Sequence, residues 1–564
     1  MEGIKTYLAL LFISLFSGLS AGSLTAAERI HIQTDRNLYV SGETMFFSLW
    51  FYDEAPAQNG LDGSSTAYIL IRDAKSHDVA KLTLKPDNGL FYGSLYLNDT
   101  LPTGNYLLTA FTNTIKNSGS AAFFSKWFTV INRFDKIRGA FRIPFNDSKA
   151  YNAPEITIVS DQKIYRPNDS IYVMVMVSDH FTGDFPNLSM AVRLQEPLNA
   201  VDSATGAVRN NVSASAEAGK RFIPETTGQV LTGKVIHKTT GQGKSGCCVL
   251  LSAIDSLVNL KYSFTDDEGN FSFLLSGYYA QKNLVLSLKD NQDQNLLILI
   301  DDQFGNIPVT TSTMPLATDE MKQFALHCRD LTHIRKIYDT DDQAETIRIK
   351  ESSYAGPLIY SKPTYTIRPS DYQPLPDFIE IARELLPSIR IRNHSGKNVI
   401  ENTVSVVKDL QQTQPDLFLN GVHISDPGKI LSLSSDQISH IEVTDQQLAC
   451  GKLVFNTVLA VFTIDPFDAA SVYGNSSVIY KPEEPVKPSV LKLFTKTESE
   501  TVPDFRNLLY WKTGIRLQAG KVFRCGFVAS HLSGKYEISL EGILDGKKPV
   551  RASSAIVVKQ PDTE

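Results

Sequence analysis

One short pattern occurs twice in this chain, a domain length apart. The first copy reads Thr34-Asp35-Arg36-Asn37-Leu38-Tyr39-Val40-Ser41-Gly42-Glu43 and the second reads Ser160-Asp161-Gln162-Lys163-Ile164-Tyr165-Arg166-Pro167-Asn168-Asp169. Asp35 matches Asp161, Tyr39 matches Tyr165, and Glu43 matches Asp169. An apolar run follows each copy, over 45–51 and 171–177. The spacing is too long for a solenoid and marks a duplicated module. The runs are short and bounded by Gly, Pro, Asn and Asp, the pattern of strands in a β-sandwich rather than of helices.

The 564 residues exceed what one hydrophobic core organises and divide into about four domains. The 22 Tyr and 30 Phe fit a β-rich chain. The net charge of −6 and the absence of a long basic run exclude nucleic acid as an expected partner. The N-terminus reads as an export signal over 1–27: Lys5 supplies the charge, 7–16 the apolar core, and Thr25-Ala26-Ala27 a small-residue cleavage site. No Cys stands there to anchor a lipid, and no later apolar run is long enough for a membrane helix. The mature chain is expected to be soluble or peripheral to a membrane. Five cysteines, with Cys247 and Cys248 adjacent, do not form a disulfide framework. Most of them read as small buried apolar residues.

Along the chain, 28–133 reads as one β-sandwich, 150–225 as a second that repeats its opening, and 228–302 as a third, smaller one. A helix is expected over 317–338, where Met321, Phe324, Ala325, Cys328, Leu331 and Ile334 recur at helical spacing behind Thr318-Asp319. With the linker after it, this makes a helix-and-linker segment over 317–376. A second helix over 377–386 and strands at 389–392, 417–422, 438–443 and 458–464 make an α+β unit over 377–466. Strands return over 480–564, read as a closing sandwich. The fold class is therefore mainly β, a multidomain string of sandwiches with one small α+β domain.

The opening repeat resembles macroglobulin-like domains, through Thr34 to Glu43 and the later Leu101-Pro102-Thr103-Gly104-Asn105-Tyr106. The second copy departs at Asn168, where the family has Gly; Asn tolerates the same turn. Residues 228–302 resemble a carboxypeptidase regulatory-like module, through Leu231-Thr232-Gly233-Lys234-Val235 and Thr265-Asp266 with Gly269, Phe271 and Phe273. Residues 377–466 resemble part of a TonB-receptor plug, through Leu417-Phe418-Leu419-Asn420-Gly421-Val422, Ile438-Ser439-His440-Ile441-Glu442-Val443 and Ala460-Val461-Phe462-Thr463-Ile464. Asn420 replaces the family's Asp. The tail, through Pro503-Asp504-Phe505-Arg506-Asn507 and Ser533-Gly534-Lys535-Tyr536, resembles the closing sandwich of large Bacteroidetes envelope proteins, which combine these modules in this order.

Each resemblance invites a mechanism that the residues do not supply. A macroglobulin thioester needs Cys-Gly-Glu-Gln, but the Cys-Gly pairs here continue as Cys450-Gly451-Lys452 and Cys525-Gly526-Phe527. The zinc motif His-Glu-x-x-His is absent, and the residues after 466 are too few for a transport barrel. Gly18-Leu19-Ser20-Ala21-Gly22 lies in the signal, and Gly243-Lys244-Ser245 lies in a hairpin turn without the Gly a phosphate loop requires. Asp266-Asp267-Glu268 reads as a solvated turn rather than a calcium loop. His327 and His333 share a helix but not a face. No catalytic, cofactor or metal site is assigned, and no cofactor is expected.

The expected function is a non-enzymatic cell-envelope binding or scaffold protein, exported to the periplasm or the outer-membrane face. It would dock through the plug-like unit onto a protein partner such as an outer-membrane β-barrel, with peripheral membrane association allowed. A periplasmic or surface glycan- or peptide-binding protein is the alternative. A macroglobulin-like protease inhibitor without a thioester ranks lower. Asp99-Thr100-Leu101, Asp169-Ser170-Ile171, Asp202-Ser203-Ala204 and Asp255-Ser256-Leu257 resemble a short O-glycosylation signal of exported Bacteroidetes proteins. Intact-mass analysis of exported native protein is expected to show a chain starting at Glu28 and heavier than its polypeptide. A bare polypeptide mass would remove the glycosylation expectation.

Overall fold

The computed structural model describes residues 28–53, 63–119, 122–136, 142–144, 150–183, 185–197, 211–212, 222–275, 279, 282–289, 295–305, 307, 310–311, 314–338, 344–347, 359–360, 362–394, 396–403, 414–455, 457–465, 477–496 and 503–560. The expected signal at 1–27 and Asp202-Ser203-Ala204 lie outside them. The protein is mainly β, built from many small sheets. It divides into two compact units, Met1–Thr226 with Asn306–Ile347 and Val486–Glu564, and Thr227–Gly305 with Arg348–Pro485.

The first sandwich of the first unit has a smaller sheet in the order Glu28–Thr34, Thr44–Asp53, Phe91–Tyr96. Its larger sheet runs Leu38–Val40, Phe124–Ile131, Gly104–Phe111, Ala67–Asp73, Asp78–Leu84. The repeated pattern carries the chain from one sheet to the other and back. The Asp35 carboxylate accepts the Tyr39 hydroxyl at 2.8 Å and the Phe46 N–H at 2.8 Å, and Glu43 accepts the Val40 N–H at 2.8 Å. Gly42 turns the corner at φ 87°. The second copy makes the same bonds. Asp161 accepts the Tyr165 hydroxyl at 2.6 Å and the Tyr172 N–H at 2.9 Å, and Asp169 accepts the Arg166 N–H at 2.7 Å. Asn168 stands at φ 67° in place of the glycine, a conformation Asn reaches at low cost.

The second sandwich differs from the expected division. Its smaller sheet runs Ile156–Ser160, Ser170–Val177, Val522–Val528. Its larger sheet runs Ile164–Tyr165, Lys548–Val558, Gly534–Leu544, Phe185–Leu194, Leu508–Leu517. Position for position, this is the strand order of the first sandwich. Residues 150–225 therefore do not close a sandwich by themselves, and the strands of 480–564 that follow Leu508 do not form a separate one; the two segments are halves of one domain. The reason is burial. Ile171, Val173 and Val175 point inward from Ser170–Val177 onto a core that Phe185, Leu188 and Met190 only partly fill; the tail supplies the rest, with Phe527, Tyr536, Ile538 and Ile556 in the same core. The corner tyrosine is duplicated as well. The Tyr106 hydroxyl donates to Pro102 C=O at 2.7 Å, and the Tyr536 hydroxyl to Leu532 C=O at 2.9 Å.

The helix Asp319–Tyr338 returns to the first unit, with Thr318 Oγ1 accepting the Met321 N–H at 3.2 Å. Met321, Ala325 and Cys328 pack on Leu38, Val40 and Ile131.

In the second unit a small sandwich pairs Asn270–Leu274, Val230–His237 and Leu296–Ile300 against Lys261–Phe264, Cys248–Ala253, Leu284–Leu288 and Val478–Tyr480. The last strand lies beyond the expected limit of 302. The α+β sheet runs Tyr365–Ile367, Ile438–Thr444, Val458–Thr463, Asp416–Leu419, Val422–Ile424. The expected strand at 417–422 is split into a hairpin, because Asn420 and Gly421 both take positive φ, 49° and 79°. One face of this sheet packs on Phe378, Ile381 and Ala382 of the helix Phe378–Leu385, whose N-terminus Asp377 caps. Phe418, Ala460 and Phe462 on the other face pack on Leu250, Val258 and Leu260 of the small sandwich.

Truncation before Pro503 is expected to open the second sandwich, so that limited proteolysis cuts within 156–194 while the small sandwich of the second unit stays intact. Continued protection of 156–194 would contradict the shared-domain assignment.

Candidate functional site

The repeated turn of the first sandwich sits at a buried junction of the first unit. Asp35, Arg36, Glu43 and Arg335 are each less than 5% exposed. Arg36 donates from Nε to Asp35 at 2.8 Å and lies 3.2 Å from Glu43 through Nη1. The helix brings Arg335 and Thr332, one turn apart, onto the same Glu43 oxygen, Thr332 at 3.1 Å. Arg36 also donates to Asn507 at 2.7 Å, and Arg193 donates to Asp35 C=O at 2.6 Å. The Glu196 carboxylate accepts the Asn37 and Leu38 N–H groups at 2.9 and 3.1 Å. The turn, the helix and both halves of the second sandwich thus meet at one set of charges. Burial pushes the Glu43 carboxyl up, but Arg36 and Arg335 outweigh it and bring the group down to about 2.

The smaller sheet of the first sandwich lies against the larger sheet of the second through a further polar layer. His31 Nε2 is 3.1 Å from Glu541, Gln33 lies 3.4 Å from Ser539, Ser189 bonds to Gln33, and the Phe46 and Trp511 rings sit 6.4 Å apart. Burial would raise the Glu541 carboxyl, but the His31 hydrogen bond and the charges of His31, Lys126 and Arg551 bring it to about 2. Burial in turn lowers Lys126, which donates to Thr34 at 2.6 Å, to about 8.

Beside this junction opens a cleft of about 410 Å³. Glu320, Phe324 and His327 line it from one face of the helix. Gln195 and Glu196 line it from the end of Phe185–Leu194, and Ser533 and Lys535 from the tail corner. Ser533 and His327 both reach it, but among the described residues no hydrogen bond joins them into a nucleophile–base pair. The cleft offers carboxylates, one cation and an aromatic ring, a lining suited to holding a polar ligand.

The remaining candidates resolve into structural roles. The Asp266 carboxylate is spent on its own turn, accepting the Glu268 and Asn270 N–H groups at 3.0 and 2.8 Å. His333 bonds to Arg133 C=O at 2.8 Å, away from His327. Tyr279 is buried. Burial pushes the Cys328 thiol up to about 12 and the Cys525 thiol up to about 11, which favours the protonated form of both. Among the described residues no group of three His, Cys, Asp or Glu is placed to hold a metal. Sequence reasoning missed the cleft because the tail's corner was not matched to its counterpart; Gly534 and Tyr536 mirror Gly104 and Tyr106 and carry that signal.

No family model matches the chain, and no curated protein does. Among solved structures, it is similar to the alpha-2-macroglobulin of Salmonella reacted with methylamine, at 11% identity and TM-score 0.24, over 95% of this chain and 40% of that one. The trypsin-activated alpha-2-macroglobulin of Escherichia coli gives 10% identity and TM-score 0.24, over 96% and 42%. The Escherichia coli adhesin FdeC gives 15% identity and TM-score 0.14, over 48% and 63%. The chain spans about two fifths of the length of these macroglobulins. The fold assignment rests on strand order and bonding, not on these likenesses.

Removing one partner of the Glu43 cluster leaves buried charge uncompensated. Glu43→Gln and Arg335→Met are each expected to cost about 3–5 kcal/mol in urea unfolding. Both Glu43 and Glu541 have depressed folded-state pKa values. Their stabilisation is therefore present above the unfolded carboxylate value of about 4.3 and lost as pH falls toward 2. Unfolding measured at pH 7 and pH 3 should show a shallower acid loss in Glu43→Gln and Glu541→Gln; an unchanged loss would refute it.

Proposed function

We propose that this chain is a non-enzymatic binding and scaffold protein of the bacterial cell envelope, exported to the periplasm or outer-membrane face. Its second unit docks a protein partner, an outer-membrane barrel system in the plug-like reading of the α+β domain. One observation carries this reading. The chain passes between its two units four times, at 226–227, 305–306, 347–348 and 485–486. A part tied in this way suits presentation to a partner without release. The buried charges of the first unit also fit a scaffold, since they are engaged in joining its modules. The carboxypeptidase regulatory-like and plug-like readings of the second unit rest on the sequence patterns given above.

The second reading is a glycan- or peptide-binding protein. It is favoured by the cleft between the helix and the tail corner, where Glu196, Glu320 and Lys535 offer hydrogen bonds and Phe324 a ring.

Crosslinking tagged protein in intact envelopes of its own host separates the two. Reproducible recovery of one outer-membrane barrel or its lipoprotein partner is expected. Protein that is free in the periplasm, with no reproducible partner, would overturn the scaffold reading. Binding of a glycan or peptide that is lost in Lys535→Glu would then favour the second.

A further inference from the structure

The two sandwiches of the first unit present the same surface in two different states. In the first, the outer face of the smaller sheet carries His31, Gln33, Phe46, Ser48 and Trp50. Each is 5% exposed or less, because the larger sheet of the second sandwich lies on it. In the second sandwich the register places Thr157, Val159, Tyr172, Met174 and Met176 at the equivalent positions. His31 pairs with Trp50 and Gln33 with Ser48, as Thr157 pairs with Met176 and Val159 with Met174. This face is the more open of the two, with Val159, Met174 and Met176 half-buried. Tyr172 is 59% exposed, and Thr157 and Arg524 are exposed beside it. Ile171, Val173 and Val175 point the other way, into the core, so Tyr172, Met174 and Met176 are committed to the outside.

The face is built for contact. Tyr172 pairs with Gly526, and its ring lies across that glycine, where an added Cβ would meet it at 3.2 Å. The ring covers the bare backbone and forms a flat platform. Val159, Met174, Met176 and Val522 share its face of the sheet with apolar, adaptable side chains, and Arg524 stands across from Met174. A lone aromatic flanked by Met and Arg has the composition of an interface centre rather than of a solvated sheet.

We infer that this face docks a β-sandwich of a partner protein, which lays a sheet face across it as the second sandwich does on the first. The chemistry of the partner follows from the covered copy. There the overlying sheet offers Trp511 to Phe46 and Glu541 to His31. The partner's sheet offers an aromatic or apolar side chain to Tyr172, the counterpart of Phe46; Arg524, exposed on the same face, adds a cation that a carboxylate on that sheet complements. The contact is heterologous: the smaller sheet of one module meets the larger sheet of the next. Within this chain the second sandwich's larger sheet is already occupied by the first sandwich, so it is not the sheet that lies on this face. The inference rests on the scaffold reading and adds a second contact surface to it.

The test places benzoylphenylalanine at position 172 of the full chain in its own host, with a second variant carrying it at the exposed Tyr372 of the α+β domain. Both positions face outward, so unfolding temperatures should match the parent. After irradiation, adducts from position 172 are expected on alternate residues of one sheet of a β-sandwich protein, and Arg524→Glu should reduce their yield about tenfold. Adducts on a second copy of this chain, or scattered over loops of unrelated proteins, would overturn the inference. Adducts from position 372 with none from 172 would overturn it and leave the scaffold reading standing. No adducts from either position would remove both.

Discussion

The strand Phe185–Leu194 has a partner on each edge, and both partners come from the far end of the chain: Leu508–Leu517 on one side, Gly534–Leu544 on the other. The second sandwich exists only because of this closure, and the junction and the cleft depend on it in turn. Some three hundred residues separate Leu194 from Leu508. The entropy of closing a loop grows only logarithmically, by about 0.6 kcal/mol per doubling, so a folded insertion of this length costs little more than a short loop. The kinetic consequence is larger. Until the tail is made, the core around Ile171, Val173 and Val175 is only part filled, Phe185–Leu194 has no partner on either edge and Ser170–Val177 lacks one of its two, a state prone to mispairing.

The duplicated turn shows how one local device serves two ends. Asp35 and Asp161 hold the same tyrosine and the same backbone N–H, which fixes the crossing between sheets in both copies. The copies diverge at the last acidic position. Glu43 has a longer side chain, and besides capping Val40 it meets Arg36 and Arg335. Asp169 caps Arg166 and stays half-buried. In this molecule the buried ions orient the modules; their desolvation offsets much of what the pairing contributes.

Much of the local structure was legible in the sequence. The repeat, the turn at Asn168, the helix starting after Thr318 and the strands of the small sandwich follow from spacing, capping and turn residues, which act within a few positions of themselves. What was not legible is partnership. Residues 150–194 and 508–558 each read as strands, but nothing in alternation says which strand lies beside which, so each half was read as its own domain. The one trace was the corner. Ser533-Gly534-Lys535-Tyr536 keeps only Gly and Tyr of Thr103-Gly104-Asn105-Tyr106, and the tyrosine is fixed by the hydroxyl that reaches back four residues. The expected strand at 417–422 broke for a related reason, since Asn420-Gly421 is a hairpin turn inside an apolar run. The cleft was hidden because its walls come from three separated segments.

Native-state hydrogen exchange tests the central claim most directly. If Ser170–Val177 and Val522–Val528 are neighbours in one sheet of one domain, their slowest amides open in the same cooperative event and report one opening free energy, across denaturant concentrations. Two different opening free energies, with one segment released while the other stays protected, would show two separate domains and contradict the account.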